Sequence, residues 1–213
     1  MDYKFSWPTL ALIIVVYVAW GGLLFVDPWW ISVPLLGVTI ALHASLQHEV
    51  LHGHPFKSAR KNMALIWLSL SIVIPFARFR DTHLAHHQDA LLTDPYDDPE
   101  TNFVDKQVWN NMPRLVQGAL MLNNTLIGRL IIGPVIGLIA FAQSEWRGRT
   151  PTTVRQWAGH LPAVGIVLCI VILSPQSLWT YGFAVYLALS ILKLRTFLEH
   201  QPAERSSHRS VIV

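Results

Sequence analysis

Six apolar runs, at roughly 9–26, 29–47, 62–76, 126–143, 161–174 and 178–194, take up nearly half of this 213-residue chain and decide what it can fold into. A helix that crosses a bilayer needs about 20 predominantly apolar residues, within a range of about 17–25. The first, second and last runs reach that length, and the fifth does so once it is extended from Trp157 to Ser174. Only 14% of the residues are charged, against about 25% in a soluble domain. The chain therefore reads as a single-domain integral membrane protein. Its first 26 residues read as a retained span, because Lys4 is the only basic residue ahead of the apolar run and no small-residue cleavage site follows.

The basic residues set the topology. They fall in clusters at Lys57, Arg60 and Lys61, at Arg78 and Arg80, at Arg147, Arg149 and Arg155, and at Lys193, Arg195 and Arg205. The turns Asp27-Pro28 and Ser174-Pro175-Gln176-Ser177 carry no Lys or Arg. If runs one, two, five and six span, every basic cluster lies on one side, which the positive-inside rule makes the cytoplasm. Runs 62–76 and 126–143 are then interfacial or half-buried helices on that side; the second contains Gly133-Pro134. The expected fold is all-α: two transmembrane hairpins, about four spans, and a cytoplasmic cap of interfacial helices. The expected location is a bacterial inner membrane with both termini cytoplasmic. The net charge of +3 is explained by this anchoring and does not indicate nucleic acid.

Histidines concentrate at that cytoplasmic side. His48 and His52 stand in HEVLH at the end of the second run, and His83, His86 and His87 in HLAHH after the third. Helical residues at i, i+3 and i+4 share a face, so each cluster can direct imidazoles at one point. Imidazole is the commonest metal ligand. Adjacent His86 and His87 diverge by about 100° on a helix, so one can join His83 on one metal while the other reaches a second. Glu199 and His200 follow the last run and arrive at the same surface. The lone cysteine, Cys169, excludes a cysteine-built metal site and is expected as a small buried apolar residue. Histidine ligation without cysteine suits iron, zinc, copper or nickel, and redox work on a lipid favours iron.

Glu49, Asp81, Asp89 and Glu199 flank the histidines, where carboxylates can accept the remaining imidazole N–H and fix its tautomer. His43 lies five residues before His48 inside the second run and faces a different neighbour; an ionisable residue there invites a functional reading. His160, at the end of the fifth run, reads as interfacial. HEVLH also matches the zinc-protease pattern HExxH, with Glu49 as general base. An intramembrane zinc protease, or a membrane protein that binds metal without catalysis, are therefore the alternatives. The protease leaves His83, His86 and His87 without a role.

The succession HEVLHGHPF, RFRDTHLAHHQDALLTDPYDDPE and RTFLEH resembles the membrane-bound fatty acid desaturase and hydroxylase superfamily. That group includes carotenoid hydroxylases and ketolases and is similar to alkane hydroxylases. The resemblance covers roughly residues 40–205. It implies a two-iron centre that uses dioxygen to desaturate or hydroxylate a lipid acyl or hydrocarbon chain, with electrons from a ferredoxin or cytochrome. It also implies that His48, His52, His83, His86, His87 and His200 are the iron ligands. The family's third box, HxxHH, has no counterpart: after His200 only His208 precedes Val213. The expectation is a C-terminally truncated member that holds one metal, or two weakly.

Overall fold

The computed structural model describes residues 5–88, 104 and 106–199; residues 85–88 and 197–199 are described as helical backbone only. Ten α-helices and no strand occur among the described residues. The chain divides into two compact units, Met1–Arg80 with Gly148–Leu189, and Asp81–Arg147 with Ser190–Val213.

The first unit is built on two hairpins. Helix α1 (Trp7–Leu23) is capped by the Ser6 side chain and returns through the Asp27-Pro28 turn into α2 (Trp29–Leu51). Two of its helices, α2 and α9 (Pro151–Leu173), are long and apolar enough to cross a membrane, while α1 has 17 residues. A Thr150 cap starts α9. Helix α10 (Leu178–Glu199) follows the second turn. Gln176 ties the two turns together: its amide donates to the Val26 carbonyl at 2.7 Å and accepts from Ser32 Oγ at 3.4 Å.

The interior of this unit follows helical spacing. His160, Ala163, Val167 and Val171 are buried along α9, and Tyr181, Ala184, Val185 and Ala188 along α10. Gly37 lets α2 approach α10 so closely that an added Cβ would stand 2.8 Å from Leu187 Cδ2. The outward faces are apolar too, with Leu12, Ile14, Val15, Val18, Val38 and Ile166 exposed. Cys169 is exposed rather than buried, since the α9 packing stripe passes through Val167 and Val171.

The apolar run at 62–76 is not one helix. Helix α3 (Ala59–Leu65) ends at Ile66, residues 66–75 are irregular, and α4 (Phe76–Gln88) begins after Pro75. The expected half-buried helix is thus replaced by a broken, half-buried segment in which Ile66, Ser69 and Leu70 are buried.

The second unit contains α5 (Lys106–Asn111), α6 (Arg114–Asn123), α7 (Leu126–Ile131) and α8 (Gly133–Arg147), with the ends of α4 and α10. The run at 126–143 is helical as expected but split at Ile132, next to Gly133-Pro134. Gly133 and Gly137 of α8, four residues apart, bring its backbone against Lys193 of α10. Small residues at this spacing permit such close helix approach. Ser190 Oγ donates to the Leu130 carbonyl at 2.7 Å.

Candidate metal centre

Helix α2 delivers the first cluster at its C-terminal end. His48 lies in its last turn and His52 is the C-cap, one turn further on. Their rings meet edge to face with centroids 4.7 Å apart. Gly53 follows at φ +98, a conformation that costs an L side chain, and it turns the chain away directly after His52. The carbonyls at a helix C-terminus carry partial negative charge, so this end of α2 favours a cation.

Helix α4 delivers His83. Helix α4 runs from Phe76 to Gln88, and His83 is in its second half. The ligand nitrogens of His48, His52 and His83 all lie within 4.8 Å of one another, with His83 buried, His48 half-buried and His52 exposed. Bonds of about 2.1 Å would set two imidazole nitrogens roughly 3.4 Å apart across a tetrahedral ion. The donor set, three imidazoles, suits a metal of intermediate softness.

No carboxylate belongs to this group among the described residues. Glu49 is exposed, and Asp81 is half-buried on α4, two residues before His83. His86 and His87 lie in the helical backbone of α4 at the spacing expected from HLAHH, and Glu199 ends α10; their side chains fall outside the described residues. His200 and Asp89 also lie outside the described residues, as does the acidic stretch 93–100.

Two histidines are committed elsewhere. His43 is buried in α2, and its Nε2 lies 3.0 Å from Tyr17 Oη. His160, expected at an interface, is buried in α9, and its Nε2 donates to the Ile72 carbonyl at 3.1 Å. Its partner is 88 residues away in sequence, so local pattern gave no sign of it. Sequence reading also missed buried Arg129 and Glu145 in the second unit. Burial lowers the pKa of the Arg129 guanidinium.

A model of the fatty acid desaturase family matches residues 27–212, a region that includes all three grouped histidines. The chain belongs to the fatty acid desaturase family. No curated protein and no solved structure matches it significantly. Fatty acid desaturase membership makes the chain a membrane protein of the oxidoreductase class and its substrate a lipid acyl chain.

Proposed function

We propose that this desaturase-family chain oxidises the acyl or hydrocarbon chain of a lipid, by desaturation or hydroxylation, with dioxygen at a histidine-held iron centre. The observation that carries the reading is the grouping of His48 and His52 with His83, 31 residues beyond His52 in sequence, in a chain of this family. In this reading His86, His87 and His200 join the same ligand set, whose six imidazoles hold one iron, or two weakly, and Glu49, Asp81, Asp89 and Glu199 orient the imidazoles. Bound iron supplies the redox chemistry with dioxygen that an unactivated C–H bond demands. The chain's own contribution is to hold the imidazoles at the ends of α2 and on α4, where the C-terminal dipole of α2 favours the cation. Electrons come from a ferredoxin or cytochrome. The zinc-protease alternative is disfavoured by the match of residues 27–212 to the fatty acid desaturase family.

The proposed topology has four spans, α1, α2, α9 and α10, with the histidines on the cytoplasmic side. Three observations support it. Gln176 joins the two hairpin turns, as parity requires. Trp29, Trp30 and Trp179 stand exposed beside those turns, where an aromatic belt would sit. The outward faces of the helices are apolar.

Lipid profiling of cells that express the chain tests the function. A new double bond or hydroxyl, absent with His83→Ala, is the expected result. An unchanged lipid profile under aerobic expression with an electron donor present would contradict it.

A further inference from the structure

Residues 66–75 form an irregular backbone within an apolar sequence, IWLSLSIVIP. A helix would satisfy its own carbonyls; a broken segment must find donors elsewhere, because an unpaired buried carbonyl costs about 1–3 kcal/mol. Here the donors come from three other helices. Tyr17 Oη of α1 donates to the Leu65 and Leu68 carbonyls at 3.3 and 3.1 Å. Tyr181 Oη of α10 donates to the Leu70 carbonyl at 2.7 Å. His160 Nε2 of α9 donates to the Ile72 carbonyl at 3.1 Å.

The protons balance in this network. Tyr181 has one hydroxyl proton, given to Leu70, so its oxygen is free to accept from Trp20 Nε1 at 3.2 Å. Tyr17 gives its one proton to the carbonyls, so His43 Nε2 is the donor in the 3.0 Å contact with Tyr17 Oη. His160 Nε2 carries its hydrogen because a carbonyl only accepts. The segment also contains a strained residue. Ile72 has φ +56, in the left-handed region that a β-branched side chain avoids, and its N–H donates to the Ser69 carbonyl at 3.1 Å. Such a conformation persists only where the surroundings over-determine it.

The segment leads straight into α4. Arg78 N–H and Phe79 N–H donate to the Pro75 carbonyl, and Arg78 Nη1 donates to Gln156 Oε1 of α9 at 3.1 Å. His83 stands five residues beyond Arg78 on the same helix. We infer that Tyr17, Tyr181 and His160 are positioning residues that clamp the carbonyls of residues 65–72 and thereby fix the start of α4, the helix that carries His83. This inference rests on the proposed role of His48, His52 and His83 as metal ligands.

The test titrates the metal-free full chain, in detergent, with cobalt(II) alone and follows its ligand-field absorption. Wild type should bind cobalt, and His83→Ala should lose most of that binding. Tyr17→Phe and Tyr181→Phe should each weaken cobalt affinity by about 10–100-fold, as loss of supporting groups around a metal site does, and change the band shape while helicity stays unchanged. His160→Gln, whose amide can donate to the same carbonyl, should bind better than His160→Ala. Both tyrosine variants retaining wild-type affinity and spectrum, with His83→Ala impaired, would overturn the clamp alone. Equal binding by wild type and His83→Ala, or no binding by wild type, would overturn the ligand assignment and the clamp with it. If Tyr181→Phe does not accumulate as folded protein, Tyr17→Phe and the His160 pair decide the matter in the same way.

Discussion

The apolar runs at 62–76 and 126–143 have similar hydropathy and opposite fates. The second supplies most of its own backbone hydrogen bonds: α7 and α8 are regular, a Thr125 cap accepts from the Gly128 N–H at 3.0 Å, one outside donor, Ser190 Oγ, reaches the Leu130 carbonyl, and Leu126, Ile127 and Ile131 are left exposed. The first gives up helix after Leu65, buries Ile66 and Leu70, and borrows hydrogen-bond donors from Tyr17, His160 and Tyr181. The difference teaches that hydropathy specifies burial but not who satisfies the backbone. The run that depends on other helices is also the one that leads to a candidate metal ligand.

This contrast can be broken at its joints. The largest effect is expected from Gly128→Ala. A Cβ there would collide with the Leu122 carbonyl, a backbone atom with nowhere to move, so the α6–α7 corner should lose about 3 kcal/mol or more, read from thermal unfolding in detergent. Next is Tyr181→Phe, which strips the Leu70 carbonyl of its donor and Trp20 Nε1 of its acceptor; a loss of about 1–3 kcal/mol is expected in the same assay. The smallest is Ile127→Ser. This exposed side chain carries no hydrogen bond of the second run, so stability in detergent should stay within about 0.5 kcal/mol. A costly Ile127→Ser beside a neutral Tyr181→Phe would reverse the contrast.

Much of the arrangement was legible in the sequence. The spacing of His48 and His52 reports a shared helix face, and the basic clusters lead to the expectation that His83 lies on the same side of the membrane. Helices α2 and α9 appear where the apolar runs place them. The broken segment was not legible, because a short apolar run has no periodicity that separates helix from irregular chain. Nor was the burial of His160, whose acceptor belongs to that segment. Cys169 was misplaced for a related reason: in an all-apolar helix, composition does not say which face packs.

The central claim is that His48, His52 and His83 hold iron. Its most direct test is the iron content of the purified chain after anaerobic loading with iron(II), compared among wild type, His83→Ala and Glu49→Gln. The account predicts bound iron in wild type, most of it lost with His83→Ala and most of it kept with Glu49→Gln. Equal iron in wild type and His83→Ala, or loss with Glu49→Gln alone, would contradict it.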